Sequence, residues 1–239
     1  MSTTHRIWAV VPAAGIGKRM QSALPKQYLK LNGTPVLQHC LQHLLDIPRV
    51  TGLIIAIRDD DQYWNDIQLS SNKPIIVTQG GAERCDSVLN ALQCLSQQAA
   101  FNTEQDWVMV HDAVRPCVRH SDIERLIDTV GTDPAGGLLA MPVRDTMKRQ
   151  QNNARVAQTV DREGLWHAQT PQLFPWQALH QALRDARQKG HLITDESSAM
   201  EMAGYAPQLV EGGADNIKIT RAEDLRLAEL YLDAQQKTL

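Results

Sequence analysis

Short apolar runs rich in β-branched residues recur along the first part of the chain. They lie at Ile7 to Val11, Leu53 to Ile57, Ile75 to Thr78, Trp107 to Val110 and Gly137 to Met141. The segments between them repeat their apolar residues with the period of amphipathic helices. This alternation predicts an α/β fold with a mostly parallel, twisted sheet flanked by helices on both faces. Because ligands of such sheets lie beyond the carboxyl ends of the strands, the loops that follow the strands are the expected site of function.

The helical segments carry an apolar stripe on one side and polar residues on the other. Two of them are Val36 to Ile47 and Arg84 to Gln97, each with apolar residues three or four positions apart. A third helix is predicted to begin near Ser121, whose side chain can cap it together with Glu124 at the spacing of a capping box. The later helical segments are Trp176 to Lys189, Thr194 to Ala203 and Arg221 to Gln236.

Residues 143–163 break the alternation of strands and helices. Val143 to Arg149 and Ala154 to Asp161 flank the turn-like residues Gln150 to Asn153, a pattern that predicts a β-hairpin. We expect this hairpin to project as an arm from a single domain that spans residues 1–239.

The charge balance argues against a nucleic acid as ligand. The 24 basic and 27 acidic side chains give a formal net charge of -3, so the overall field repels a polyanion and any phosphate site must be local. No apolar run approaches the length of a membrane span, and the first one is too short for the core of a signal peptide. The four cysteines show no zinc-site spacing and are expected to be reduced. These features predict a cytoplasmic protein with neither a nucleic-acid nor a membrane partner.

Small residues dominate the loop after the first strand. Gly15 and Gly17 in this loop allow backbone N–H groups to approach phosphate oxygens closely. Met20 stands where a dinucleotide-binding loop needs its third glycine, and the loop lacks the Gly-Lys-Ser/Thr ending of a Walker loop. The loop therefore predicts phosphate binding of a different kind.

Three cations lie in or near the same loop: Lys18, Arg19 and Lys26. Together with Mg²⁺ they can balance much of the charge of a triphosphate. The alternative is a glycine turn with solvated basic residues, and the loop by itself does not decide between the two.

Four later segments of unusual composition lie at predicted strand ends or in loops. They begin at Gly80 (GGAERCDSV), His111 (HDAVRP), Pro142 (PVRDTMK) and Ala214 (ADNIKIT). Asp112 follows a predicted strand directly, a position from which a carboxylate can hold Mg²⁺ against phosphate oxygens. A lone Asp after a strand is more often a helix cap.

With the first loop, these segments resemble the 2-C-methyl-D-erythritol 4-phosphate cytidylyltransferase family of the non-mevalonate isoprenoid pathway. The motifs P-A-A-G-x-G-x-R-M, L-P-K-Q-Y, G-G-x-x-R-x-x-S-V, H-D-A-x-R-P, V-x-D-T-x-K and N-x-K occur in this order over essentially the whole chain. The resemblance implies a Rossmann-like nucleotidyltransferase fold and a reaction that uses Mg²⁺. In that reaction CMP passes from CTP to 2-C-methyl-D-erythritol 4-phosphate, and pyrophosphate is released.

The resemblance also implies roles on the nucleotide side. Arg19 and Lys26 would neutralise charge at the α-phosphate, and Lys218 would act from the acceptor side, so these three are the expected catalytic residues. Asp112 is the expected metal ligand or ribose contact. The expected nucleotide-binding residues are Pro12, Ala13, Ala14, Gly15, Gly17, Gly81, Ser87, Asp112 and Ala113.

The implied acceptor-binding residues are Arg115, Thr146, Arg162, Thr170, Thr194 and Asp215. Thr146 and Arg162 lie on the predicted hairpin and would reach into the site of a partner subunit, which requires a homodimer. Asp215 is the second carboxylate that would lie near the metal or the ribose. Ala82 departs from the family, where an acidic residue can stand near the base, so backbone groups carry more of the base recognition here.

The implied chemistry needs no nucleophilic side chain. A phosphate monoester is largely ionised at neutral pH and can attack the α-phosphorus directly, while cations and backbone donors stabilise the charge that develops. Three alternatives remain: transfer to another acceptor such as ribitol 5-phosphate, a nucleotide-sensing module without catalysis, and an NAD-dependent reductase, which Met20 disfavours.

Overall fold

The computed structural model describes residues 5–15 and 24–237. Its strands are β1 (Ile7–Pro12), β2 (Lys30–Leu31), β3 (Thr34–Pro35), β4 (Val50–Ile57), β5 (Ile75–Gln79), β6 (Trp107–Val110), β7 (Gly137–Pro142), β8 (Met147–Gln150), β9 (Val156–Val160), β10 (Trp166–Pro175) and β11 (Gln208–Glu211). Its α-helices are α1 (Val36–Asp46), α2 (Arg84–Ser96), α3 (His120–Val130), α4 (Trp176–Gln188), α5 (Glu196–Met202) and α6 (Ala222–Gln236). Among the described residues, none of the helices is both long and apolar enough to cross a bilayer.

Seven of the strands form one sheet in the order β11-β7-β10-β6-β1-β4-β5. β10 runs antiparallel to both of its neighbours, whereas all other neighbouring pairs are parallel. The predicted mostly parallel α/β sheet is thus confirmed. The five strands expected from the sequence all belong to it.

Two hydrophobic clusters cover the two faces of this sheet. Along β1, Ile7, Ala9 and Val11 contribute to one cluster, which is completed by α1 and α3. Trp8 and Val10 contribute to the other cluster, which is completed by α2, α4 and α5. Successive side chains of a strand point to opposite faces, so a strand that is buried on both faces reads as a continuous apolar run.

The predicted hairpin is present as a separate two-stranded sheet of β8 and β9. Its register pairs Met147 with Val160 and Lys148 with Thr159. It extends from the place where β7 and β10 pair, since Pro142 is opposite Trp166. Its side chains are mostly exposed, so the hairpin contributes little to the core of its own chain.

The third helix begins near Ser121 as predicted, but the structure corrects its cap. α3 begins at His120 with Arg119 as its N-cap, and no side chain caps it. The Ser121 and Glu124 capping box is therefore wrong. Instead, the buried Asp122 of the first turn accepts a hydrogen bond from the Gly213 N–H at 2.8 Å, so the helix start is fixed by a distant segment.

Candidate active site

A cleft lies at the carboxyl ends of β1, β5 and β6, which meet at one edge of the sheet. The residues that line it come from the loops after these strands, from the segment after the first loop and from the C-terminal part of the chain. They are Pro12, Ala13, Ala14, Gly15, Lys26, Gln27, Gly81, Ala82, Glu83, Arg84, Ser87, Asp112, Ala113, Val114 and Lys218.

The first loop is held by a buried glutamine. The Gln27 amide donates to the Ala13 carbonyl at 2.8 Å and to the Gly15 carbonyl at 3.1 Å. The Ala13 N–H donates to the Ala56 carbonyl on β4 at 2.8 Å. Because Gln27 fixes these two carbonyls, the peptide groups of the loop keep one orientation at the edge of the cleft.

The loop between β5 and α2 packs directly against the first loop. A Cβ atom added to Gly80 would lie 2.3 Å from the Ala14 Cβ, so only glycine allows this approach. The Ser87 hydroxyl accepts from the Gly81 N–H at 3.0 Å and donates to the Glu83 carbonyl at 3.2 Å. Ser87 thus fixes the shape of the second loop from within α2.

Asp112 is buried at the centre of a cluster of cations. Its Oδ1 lies 2.9 Å from Arg84 Nε, and its Oδ2 lies 2.8 Å from Lys218 Nζ and 3.5 Å from Arg115 Nε. Burial raises the pKa of Asp112, but the charges of Arg84, Lys218 and Arg115 outweigh it and hold this pKa well below its usual range. Asp112 is therefore ionised at neutral pH.

Thr170 and His111 form a hydrogen-bonded chain that holds the backbone of Asp112 in place. The Asp112 N–H donates to Thr170 Oγ1 at 3.0 Å, and Thr170 Oγ1 lies 3.1 Å from His111 Nδ1. The Arg115 carbonyl, 3.0 Å from His111 Nε2, can only accept, so Nε2 carries the proton of the neutral ring and Nδ1 accepts from the Thr170 hydroxyl. Burial lowers the pKa of His111 to about 4, so the neutral ring completes this chain.

Two lysines reach the cleft from different parts of the chain. Lys218 contacts Asp112, and Lys26 Nζ donates to the Ile219 carbonyl at 3.2 Å. The C-terminal segment is held in place by Arg115, whose Nη1 donates to the Asn216 carbonyl at 2.7 Å, and by Asn216, whose amide donates to the Thr170 carbonyl at 2.8 Å. A nucleotide in the cleft would therefore meet cations from both sides.

Comparison with known proteins agrees with this geometry. A family model described as 2-C-methyl-D-erythritol 4-phosphate cytidylyltransferase matches residues 7–234. The chain belongs to this family.

Cytidylyltransferases with this name from several bacteria are similar over almost their whole length. The chain is 50% identical to the enzyme of Vibrio atlanticus, with 99% of this chain and 100% of that protein covered. It is 49% identical to the enzyme of Pseudomonas putida, with 94% and 95% covered. A solved structure of the Francisella tularensis enzyme is 36% identical, covers 95% of this chain and 99% of its own chain, and superposes with a TM-score of 0.80.

Most of the predicted nucleotide-side residues of this cytidylyltransferase line one cleft. The predicted residues found there are Pro12, Ala13, Ala14, Gly15, Gly81, Ser87, Asp112, Ala113, Lys26 and Lys218. Gly17 and Arg19 lie outside the described residues. Among the described parts of the chain, the cations of the predicted catalytic set do meet at one place.

The predicted acceptor residues are spread more widely. Thr146 and Arg162 are exposed on the hairpin, where Arg162 Nη1 donates to the Arg144 carbonyl. Thr194 is exposed just before α5, and its hydroxyl lies 3.5 Å from Asp195 Oδ1. None of these three is among the residues that line the cleft of their own chain.

The other three acceptor candidates are buried or nearly so. Arg115 and Thr170 support the Asp112 loop through the contacts given above. Asp215 accepts from Arg119 Nε at 2.8 Å and from the Gln235 amide at 2.9 Å, and it does not line the cleft. In this conformation, these partners occupy one carboxylate oxygen of Asp215, while its buried Oδ1 has no hydrogen-bond partner.

Sequence reasoning assigned no role to three residues that shape the site. Gln27 holds the first loop, and Arg84 joins Asp112 to the buried Glu196 through hydrogen bonds of 2.9 Å and shorter. Gln27 and Arg84 stand within recognised motifs, but a motif does not say what a side chain contacts. The Arg84–Glu196 pair joins residues that are distant along the chain, so no local sequence pattern predicts it.

The donor set fits a divalent cation that takes most of its ligands from phosphate and water. The two Asp112 oxygens offer about four lone-pair positions and contact three cations, which leaves a position for a metal ion. Among the described residues, Asp112 does not belong to a cluster of three protein ligands. Within the described residues, the one such cluster is Glu83, Cys85 and Asp86, where Arg187 pairs with both carboxylates. One carboxylate facing bound phosphates is typical of Mg²⁺ and not of a metal held by protein alone.

Proposed function

We propose that the protein transfers CMP from CTP to 2-C-methyl-D-erythritol 4-phosphate and releases 4-diphosphocytidyl-2-C-methyl-D-erythritol and pyrophosphate. The family match over residues 7–234 carries this proposal. The cleft supports it, because it combines exposed backbone of two glycine-containing loops with Lys26, Lys218 and Asp112.

In the proposed reaction, an oxygen of the acceptor phosphate attacks the α-phosphorus of CTP in line with the leaving pyrophosphate. A new P–O bond forms, the bond to the bridging oxygen breaks, and its electron pair leaves with pyrophosphate. The attacking oxygen is already ionised, so no side chain has to remove a proton. Catalysis then depends on alignment and on positive charge near the non-bridging oxygens.

Each part of the cleft has a role in this proposal. Lys26 and Arg19 stabilise negative charge on the α-phosphate, and Lys218 faces the incoming acceptor. The loops that contain Ala13 and Gly81 hold the triphosphate and the cytidine. Asp112 holds the Mg²⁺, which when bound supplies positive charge to the phosphate oxygens.

We further propose that the active unit is a cytoplasmic homodimer. The hairpin of β8 and β9 is a separate two-stranded sheet whose side chains are mostly exposed, and it carries Thr146 and Arg162. An arm that crosses to a second copy of the chain would bring these residues to the partner's cleft, where they would form the acceptor site together with Thr194, Thr170, Arg115 and Asp215.

Another polyol phosphate, such as ribitol 5-phosphate, is not favoured as acceptor, because the matched family and its relatives carry the methylerythritol phosphate name. Pyrophosphate release tests the choice. The assay combines each of four nucleoside triphosphates with methylerythritol phosphate, ribitol 5-phosphate or a sugar phosphate, with and without Mg²⁺. We expect turnover with CTP, methylerythritol phosphate and Mg²⁺. Turnover with a different pair only would refute the proposal, and CTP binding without any turnover would indicate a sensing module.

A further inference from the structure

Glu196, the first residue of α5, is a carboxylate with no exposed surface. Its Oε1 accepts from Arg84 Nη1 at 2.6 Å, and its Oε2 accepts from Arg84 Nη2 at 2.9 Å. A buried carboxylate is costly unless it is paired with good geometry. This bidentate contact meets that condition and fixes the plane of the Arg84 guanidinium.

Arg84 is shared between Glu196 and Asp112. While Nη1 and Nη2 contact Glu196, Nε donates to Asp112 Oδ1 at 2.9 Å. Burial lowers the pKa of Arg84, but the charges of Glu196 and Asp112 outweigh it and raise this pKa above its usual value. Arg84 is therefore a permanent cation whose charge two carboxylates divide.

The charges of this cluster leave a small positive excess. Arg84, Arg115 and Lys218 contribute three positive charges, and Asp112 and Glu196 contribute two negative ones, which gives +1. Without Glu196 the sum is +2, and the whole charge of Arg84 falls on Asp112. A cation approaching Asp112 would then meet one more unit of positive charge than it meets in the parent protein.

We infer that Glu196 is a positioning residue that keeps Asp112 able to bind a divalent cation, by holding Arg84 and taking up part of its charge. This inference rests on the proposed function, because it concerns the Mg²⁺ that accompanies CTP. It concerns a residue outside the cleft lining, which acts through Arg84 without touching nucleotide or metal.

The test is calorimetric binding of CTP, in EDTA and in saturating Mg²⁺, to the full-length protein and to Glu196→Gln. In EDTA, we expect the variant to bind CTP within twofold of the parent or more tightly, because its site is more positive. We expect the gain in affinity that Mg²⁺ gives the parent to fall about tenfold in the variant. The Mg²⁺ concentration for half-maximal pyrophosphate release should rise in parallel.

Glu201→Gln is the matched control. Glu201 is an exposed residue of the same helix that accepts from the Ser197 hydroxyl at 2.8 Å, so its substitution removes the same charge from α5 without touching Arg84. We expect its Mg²⁺ dependence to equal that of the parent. An equal shift in both variants would overturn the inference, since it would reflect the net charge of the molecule alone.

The double variant Arg84→Gln/Glu196→Gln separates positioning from folding. It leaves Arg115 and Lys218 against Asp112, which restores the sum of charges to +1. The gain in CTP affinity that Mg²⁺ gives should therefore be at least fivefold larger in the double variant than in Glu196→Gln, a fold-change on the order of that lost. If Glu196 only held α5 in place, the double variant would recover nothing. Because this variant contains no unpaired buried charge, it also serves if Glu196→Gln fails to fold.

The outcome is separable from that of the proposed function. If the parent protein binds no CTP, the proposed function fails and the inference with it. If the parent binds CTP and turns over methylerythritol phosphate with Mg²⁺, while Glu196→Gln keeps the full magnesium gain, only the inference is overturned.

Discussion

Lys218 Nζ lies 2.8 Å from Asp112 Oδ2, so a cation from the C-terminal segment reaches the carboxylate that follows β6. Lys218 is 39% exposed in its side chain, whereas Asp112 is 8% exposed. The lysine can therefore move toward a bound phosphate while the carboxylate stays held by Arg84, whose Nε donates to its Oδ1 at 2.9 Å. This relationship brings the cation and the metal ligand of the proposed reaction to the same point before substrate binds.

Replacing Lys26 with alanine should lower turnover strongly. Lys26 lines the cleft and would stabilise charge on the α-phosphate, so Lys26→Ala should reduce kcat/KM by roughly two to three orders of magnitude. Steady-state pyrophosphate release with CTP and methylerythritol phosphate measures this. Lys189, an exposed residue after α4, provides the control Lys189→Ala, which should behave as the parent. Unchanged turnover in Lys26→Ala would mean that the assigned role is wrong.

Replacing Gln27 with methionine should weaken nucleotide binding. Methionine has a similar length but no amide, so the Ala13 and Gly15 carbonyls would lose the donors at 2.8 and 3.1 Å. We expect the dissociation constant of CTP to rise on the order of tenfold, with a smaller effect on kcat once CTP is saturating.

The control for this experiment is Gln181→Met. The Gln181 amide is exposed and contacts Asp185 on the same helix, so CTP binding should not change. A Gln27→Met protein that binds CTP normally would show that the first loop keeps its shape without the glutamine.

The sequence predicts the strands that read as continuous apolar runs but not β10. This strand lies between β6 and β7, yet it contains Pro171 and the buried polar residues Gln169, Thr170 and Gln172. Those side chains are satisfied by distant partners: Gln172 donates to Asp195 Oδ2 at 2.9 Å, and Gln169 donates to the Gly213 carbonyl at 3.2 Å. Because such partners are supplied by tertiary structure, neither periodicity nor β propensity marks the segment.

The same limit applies to the candidate site. Motifs identify residues near the cleft, because a loop that follows a strand must begin at the edge of the sheet. They do not reveal that Arg84 divides its charge between Asp112 and Glu196, since this depends on where α5 packs. Nor do they show that the Thr170 hydroxyl accepts from the Asp112 N–H.

Acidification should destabilise the fold partly through His111. Its pKa falls from an ordinary value near 6.5 in the unfolded chain to about 4 in the folded protein. Between these values the unfolded chain binds more protons, so the free energy of unfolding rises with pH there and is lost as pH falls. A shift of this size corresponds to about 3 kcal/mol over the window.

His111→Asn should therefore flatten the dependence of stability on pH between about 6.5 and 4, even if it lowers stability at pH 7. Urea unfolding midpoints at one protein concentration measure the slope. His191 is exposed, and His191→Asn should keep the slope of the parent. An unchanged slope in His111→Asn would assign the acid sensitivity to other groups, such as His43, whose pKa burial and the neighbouring His120 also lower.

Mixing two inactive variants should restore activity if the hairpin completes the partner's site. Lys26→Ala inactivates the cleft, and Arg162→Ala removes the proposed acceptor contact on the arm. In a mixed dimer, the intact cleft of one subunit meets the intact arm of the other, so one of two sites is native. With random exchange, half of the dimers are mixed, and activity should return to about a quarter of that of the parent.

The mixture distinguishes an arm that completes the partner's cleft from an arm that completes the cleft of its own subunit, because the two arrangements predict different activities. If each arm served its own cleft, a mixed dimer would contain no native site, and the mixture would stay at the level of the separate variants. The control is a mixture of Lys26→Ala with Lys218→Ala. Both substitutions inactivate the cleft of their own subunit, so no pairing of these subunits contains an intact cleft. Recovery in the first mixture and not in the second would establish exchange of the arm, and the exchange is checked by equilibrating the subunits at low concentration before the assay.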